Sequence, residues 1–297
     1  MISKKRLGFI GLGVMGEPIC RNITRKSSAD VVAYDLDSAP LQRLAADGVR
    51  TSSSVANVAA NADIIFLSLP GGPQVEAVVA GAGGILSAAR GDQIVVDLST
   101  TPVNLTRRLA VLCSENGVSY ADAPVARTRQ AAQDGTLSIM VGASKLVFDS
   151  ISPLLAMAGS DVTHCGEIGC GQIAKIMNNM ILAQNVVAIS EALAIGVAAG
   201  IDGRLLLETL SKGSADSFAL RNHGIKAILP GIFPRQAFST RYAMKDLDCA
   251  LALAKEANIR AHGASLAREL LARADAAGFG DEYFPAVSKV IAGQNRP

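Results

Sequence analysis

Charge is scarce in this chain. Only 18% of its 297 residues are Asp, Glu, Lys or Arg, and the two signs nearly cancel at a formal +2. That balance argues against the clustered basic face that nucleic-acid binding requires. Histidine is scarcer still: His164, His223 and His262 are scattered, suit surface or satisfied core positions, and suggest no histidine-based triad. The five cysteines (Cys20, Cys113, Cys165, Cys170 and Cys249) are odd in number and include no CxxC pair. In "HCGEIGC" the two thiols have no second pair at zinc spacing, so no metal site is expected and the cysteines read as structural. Long apolar runs are missing as well. The most apolar region, "KIMNNMILAQNVVAISEALAIGVAAG", is interrupted by Asn178, Asn179, Gln184, Asn185 and Glu191. No run of about 18 uncharged apolar residues survives, so no membrane span is expected. The N-terminal "MISKKRLGFIGLG" mimics a signal peptide, but its glycines and the Asp35 that follows suit a first βα unit better. The expected location is the cytoplasm.

What is present is a 49% hydrophobic chain, which excludes disorder and is long enough for two domains. Short apolar runs alternate with helical stretches to about residue 163. "RLGFIGLG", "DVVAYDLD", "DIIFLSLP", "QIVVDLST", "SYADAPV" and "LSIMVGA" read as strands, with periodic segments such as "VMGEPICRNITRK" and "PVNLTRRLAVLCSENG" between them. Strands alternating with helices imply a parallel, doubly wound sheet of the α/β class. From about residue 171 only helical periodicity remains. Its first helix, expected over residues 172–199, is apolar around most of its circumference, the pattern of a buried spine. The expected organisation is an N-terminal Rossmann-type dinucleotide-binding domain, residues 1–165. An all-α domain for substrate binding and dimerisation follows, residues 166–297.

"GFIGLGVMG" sets Gly11, Gly13 and Gly16 in G-x-G-x-x-G spacing directly after the first strand. The first glycine allows the tight turn, the second lets backbone approach a pyrophosphate, and the third lets helix pack on strand. The helix that follows presents free N–H groups to phosphate, with Val14 and Met15 inside the turn. Asp35 ends "VVAYD", where a carboxylate can accept hydrogen bonds from the adenine ribose hydroxyls. A carboxylate there repels a 2′-phosphate, and no arginine follows within "DLDSAPL" to neutralise one, so NAD is expected over NADP.

Four stretches in order, "GFIGLGVMG", "DLSTTPV", "DAPV" with "DGTLSIMVG", and "GEIGCGQIAKIMNN", resemble the β-hydroxyacid dehydrogenase family. A fifth, "KDL", is similar to that family's cofactor-closing lysine and falls on Lys245. The family pattern G-x-x-G-x-G-x-x-x-K-x-x-x-N falls on Lys175 and Asn179, which implies that Lys175 carries the chemistry. Residues four apart share a helix face, so Lys175 and Asn179 would project together with Asn178 beside them. An ammonium there can protonate a carbonyl oxygen, and a neutral amine can take the hydroxyl proton in reverse. The resemblance also implies that Thr100 and the turn at Leu69 and Pro70 meet the cofactor, and that Ser99 meets the substrate.

One stretch departs from the family. Where most members read Ser-Gly-Gly after "DAPV", this chain has Ala126, Arg127 and Thr128. A guanidinium fork matches an oxyanion with two parallel hydrogen bonds, so Arg127, with Thr128, is expected to bind an anionic tail. The alternative is a surface arginine paired with a nearby carboxylate. The "PVART" wording resembles the sulfolactaldehyde reductase branch. The expected activity is therefore NAD(H)-dependent interconversion of a small anionic hydroxyacid or alcohol and its aldehyde, with 3-sulfolactaldehyde or succinate semialdehyde foremost. The alternatives are 3-hydroxyisobutyrate dehydrogenase or tartronate semialdehyde reductase. An imine reductase is disfavoured by Lys175 and Asp35, and a non-catalytic binding module by the retained Lys175. A homodimer or homotetramer is expected.

Overall fold

The computed structural model describes residues 5–293 other than Gln236; both ends of the expected domain ranges, residues 1–4 and 294–297, lie outside them. The chain divides into two compact units, Met1–Lys175 and Ile176–Pro297. The division falls inside one continuous helix, Cys170–Ala198, ten residues beyond the junction expected at 165/166.

The first unit is a sheet with helices on both faces. Its strands are β1 Arg6–Ile10, β2 Asp30–Tyr34, β3 Arg50–Thr51, β4 Ile64–Leu67, β5 Ile94–Asp97, β6 Ser119–Asp122, β7 Val125–Ala126, β8 Leu137–Gly142 and β9 Gly159–Gly166. They lie in the order β3-β2-β1-β4-β5-β6-β8-β7, with β9 also on β8. The first six are mutually parallel in the 3-2-1-4-5-6 order of a doubly wound nucleotide-binding sheet. Period-two alternation feeds both faces. Leu7, Phe9, Ile64 and Phe66 enter one core, with the rings of Phe9 and Phe66 stacked at 4.8 Å. Ile10, Ile65, Leu67 and Val95 enter the other, as strands covered on both sides require.

The expectation of a wholly parallel sheet is corrected at its far edge. "SYADAPV" is not one strand: it breaks at Ala123–Pro124, and β7 and β6 each pair antiparallel with β8. Pro124 has no N–H to offer a ladder, which suits it to such a break. Strand β9 pairs parallel with β8. It has no apolar run that would have announced it; most of its residues are half-buried or exposed.

The second unit is helical, with one isolated bridge between Ser239 and Tyr283 among the described residues. Its core gathers Val186, Val187, Leu247, Leu271, Phe279 and Phe284. The expectation of a buried spine is corrected here. The helix Cys170–Ala198 is long and apolar enough to cross a membrane by length and composition. Within the chain it buries Ile176, Ala183, Val186 and Val187 but leaves Ile181, Ile195 and Val197 more than half exposed.

Candidate functional site

The sequence-selected residues of the first unit converge on the carboxyl ends of its parallel strands, where β1 lies between β2 and β4. Gly11 leaves β1 with φ +91°, and its N–H donates to the Tyr34 carbonyl of β2 at 3.0 Å. A side chain there would lie 2.3 Å from the Ser68 carbonyl, and one at Gly16 would lie 2.2 Å from the Gly11 carbonyl. Both positions demand glycine for internal reasons. Gly13 does not: a β-carbon there would meet nothing within 4 Å. It is exposed beside Val14, while Met15 is half-buried at the start of the helix Gly16–Lys26. No side chain caps that helix start. An open backbone step before uncapped N–H groups fits the close approach of a dinucleotide pyrophosphate.

Asp35 follows β2, and its carboxylate accepts from Leu12 N–H at 2.5 Å and Asp37 N–H at 2.8 Å. It is thereby held against the glycine turn. The nearest downstream arginine, Arg43, is turned to Glu17, with Nη2 and Nε donating at 2.7 and 2.8 Å.

Beyond β4 and β5 two turns are tied together. The Ser99 hydroxyl accepts from Leu69 N–H at 2.9 Å and is 5% exposed, so it is engaged in shaping the Leu69–Pro70 turn. Thr100, three residues past β5, is half-buried, and Pro70, three residues past β4, is exposed. Beneath them Asp97, fully buried, accepts from Ser99 N–H at 2.9 Å, the Thr101 hydroxyl at 2.9 Å and the Tyr120 hydroxyl at 3.2 Å. Burial raises the pKa of both Asp97 and Tyr120.

The helix bearing Lys175 starts from the same edge. Asp122, at the end of β6, accepts from Gly169 N–H at 2.7 Å and Gln172 N–H at 2.8 Å. Burial pushes this carboxyl up to about 6, against the pull of those N–H bonds. The Gln172 side chain donates to the Ser99 carbonyl at 2.8 Å and accepts from Thr101 N–H at 3.1 Å. Lys175 is half-buried one turn further along. Asp97 and Gln172 carry no expected role although each lies inside a quoted motif, and Asp122, a candidate ion-pair partner of Arg127 by sequence, instead holds the start of this helix.

Arg127 is hydrogen-bonded within its own unit. Its Nη1 donates to the Thr136 carbonyl at 2.6 Å and the Ser160 hydroxyl at 2.7 Å, and its Nη2 to Asp161 at 2.7 Å. The fork is thus engaged by acceptors of its own unit, two of them on the edge strand β9 and the third just before β8. Its backbone has φ +88°, in the left-handed region that favours glycine. Thr128 is exposed and accepts from Ala131 N–H at 3.3 Å as the N-cap of Arg129–Asp134.

Three expected residues belong to the second unit. The exposed Asn178 donates to the Asn179 amide oxygen at 2.9 Å, and Asn179 donates to Asp246 at 2.6 Å while 7% exposed. The Asn179 amide therefore anchors the helix Thr240–Glu256. The Lys245 ammonium lies 4.9 Å from the Tyr242 ring centre and 3.7 Å from Asp246. Among the described residues no group of three His, Cys, Asp or Glu could hold a metal ion.

Comparison with known proteins agrees with this geometry. Residues 6–166 match the NAD binding domain of 6-phosphogluconate dehydrogenase, and residues 169–291 the NAD-binding segment of NADP-dependent 3-hydroxyisobutyrate dehydrogenase. The chain belongs to the β-hydroxyacid dehydrogenase family. It is 38% identical to 2-(hydroxymethyl)glutarate dehydrogenase of Eubacterium barkeri, across 96% of this chain and 94% of that one. It is 36% identical to 2-hydroxy-3-oxopropionate reductase of Escherichia coli strain K12, across 89% of each. A solved structure of Mycobacterium tuberculosis 3-hydroxyisobutyrate dehydrogenase with L-serine superposes at a TM-score of 0.88, with 29% identity, covering 97% of this chain and 99% of that one. Like its relatives, this family member is an oxidoreductase acting on hydroxyl groups with a nicotinamide dinucleotide. The glycine turn, the Leu69–Pro70 turn and Thr100 are the residues that would hold that cofactor.

Proposed function

We propose that the protein interconverts a 2-substituted 3-hydroxypropanoate and its 3-oxo form with NAD(H). The compounds named with the relatives share one skeleton. 2-(Hydroxymethyl)glutarate, 3-hydroxyisobutyrate and L-serine are 3-hydroxypropanoates with different groups on carbon 2, and 2-hydroxy-3-oxopropionate is the corresponding aldehyde. The 3-sulfolactaldehyde and succinate semialdehyde readings relied on a free guanidinium at Arg127. Its engagement with Asp161 and Ser160 favours the shorter carboxylate skeleton instead.

The observation that carries the chemistry is the pair of hydrogen bonds between the Gln172 side chain, three positions before Lys175, and the residues flanking Thr100. It ties the only motif lysine of this helix turn to the turn that borders the cofactor. A bound nicotinamide supplies or accepts the hydride at the carbinol carbon. Lys175 then gives a proton to the carbonyl oxygen in reduction and takes the hydroxyl proton in oxidation. Asp35, with Arg43 turned to Glu17, favours NAD over NADP. A homodimer or homotetramer is inferred from the exposed Ile181, Ile195 and Val197 of the long helix.

Lys175→Ala tests the chemistry. It should lower kcat by about 10²–10⁴-fold, the span for losing a positioned acid–base group, with NADH affinity by fluorescence nearly unchanged. A variant that kept most of its kcat would remove Lys175 from the mechanism.

A further inference from the structure

Gln172 is completely buried in the first turn of the helix Cys170–Ala198, and every polar group it has in view is used. Its amide oxygen accepts from Thr101 N–H, its amide nitrogen donates to the Ser99 carbonyl, and its backbone N–H donates to Asp122. Gly169 N–H meets the second oxygen of the same carboxylate. A carboxylate from β6 thus satisfies two N–H groups at the start of the helix that would otherwise lack partners.

The other side of the link is just as firmly held. Asp97 accepts from Ser99 N–H and from the Thr101 hydroxyl, and Ser99 also accepts from Leu69 N–H, so Ser99 is bound three times and Thr101 twice. One glutamine side chain therefore joins two braced pieces: the turn around Thr100 and the helix bearing Lys175. Residues three apart on a helix share a face, so Lys175 leaves the helix on the side from which Gln172 reaches the turn. Any rotation or slide of the helix start that displaced Lys175 would have to break the two hydrogen bonds of the Gln172 side-chain amide.

We propose that Gln172 is a positioning residue for the reaction, holding Lys175 in register with the Ser99–Thr101 turn. This rests on the reading in which Lys175 moves the proton and Thr100 borders the cofactor. A glutamine that merely satisfied buried backbone groups would affect stability in the same way whether or not Lys175 were present. A positioning glutamine affects the rate only through Lys175.

The test is a double-mutant cycle on the full-length protein, with 3-hydroxyisobutyrate and 2-(hydroxymethyl)glutarate as substrates. Gln172→Met keeps the volume of the side chain and removes both bonds. It should lower kcat by about 10–100-fold, the scale of a misplacement near 1 Å, while NADH affinity by fluorescence stays within about 3-fold. Hydrogen–deuterium exchange should show the Thr101 amide losing protection. In the Lys175→Ala background, where single turnovers report the residual rate, adding Gln172→Met should change that rate by less than about 2-fold, because residues acting as a unit are not additive. Equal losses in both backgrounds, or wild-type kcat in Gln172→Met, would overturn the proposal. Should the methionine variant not fold, Gln172→Glu removes only the donor to the Ser99 carbonyl, and the same cycle applies to it. Failure of the underlying reading looks different: Lys175→Ala would then retain its kcat, while the Thr101 amide would still lose protection in Gln172→Met.

Discussion

At the scale of the residue, Arg127 shows how chemistry read from a side chain can be overtaken by the backbone. A guanidinium in a substrate loop invites an anion-binding role, but at φ +88° this residue stands where glycine is favoured, and its side chain braces the loop against β9. Arg127→Ala should therefore slow charged and neutral aldehydes by similar factors, measured as kcat/KM for each. A selective loss with charged aldehydes would restore the anion-reading role. Arg127→Gly, which relieves the left-handed backbone, should unfold at higher temperature than Arg127→Ala, a difference of about 1 kcal/mol. Asp35 is the opposite case. Its place just after β2, against the glycine turn, was legible from spacing alone, because the turn and strand length leave little freedom. Asp35→Ala should narrow the preference for NADH over NADPH in kcat/KM, and an unchanged ratio would take cofactor discrimination away from this carboxylate. The partners of Arg127 were not legible, since Ser160 and Asp161 lie 33 and 34 residues away on a strand with no apolar alternation.

At the scale of the element, β1, β2, β4, β5 and β6 were read from apolar runs, because strands covered on both faces leave that signature, while the exposed two-residue edge strand β3 leaves none. The long helix was legible in extent but not in burial: a helix apolar all round looks the same whether its faces are covered by its own chain or left open. The second unit also holds a wide-turned π-helix, Leu220–Ile228, with His223 inside it. His223 is 5% exposed and shares a 2.6 Å hydrogen bond through Nδ1 with the Tyr283 hydroxyl, while Nε2 has no partner. Burial pushes its pKa down to about 4. The unfolded chain, with an ordinary histidine near 6.5, then binds more protons between those values. Stability is fully present above the unfolded pKa and falls as the pH drops from about 6.5 through 4, by up to about 3 kcal/mol. Asp122 acts in the opposite sense: its folded pKa is raised to about 6, so its contribution is lost as pH rises through that value. Chemical denaturation across this range should show His223→Phe losing less stability on acidification than the unaltered protein. Parallel pH profiles for the two would contradict the assignment.

At the scale of the whole molecule, family and fold were legible because the motifs are spread along nearly the whole chain in order. The substrate was not, because it depends on side chains whose engagement only the structure reveals: Ser99 with Leu69, Asn179 with Asp246, Arg127 with Asp161. Sedimentation equilibrium should give a mass at a whole multiple of 30.7 kDa, two or four. A monomer at micromolar concentration would leave the exposed Ile181, Ile195 and Val197 without that explanation. The most direct test of the central claim is a matrix of substrates against cofactors, followed by NADH or NADPH absorbance. One arm uses 3-hydroxyisobutyrate, 2-(hydroxymethyl)glutarate, L-serine and tartronate semialdehyde; the other uses 3-sulfolactaldehyde and succinate semialdehyde. The account predicts that the highest kcat/KM belongs to a member of the first arm with NAD(H). Turnover confined to the second arm, or a preference for NADP(H) throughout, would contradict it.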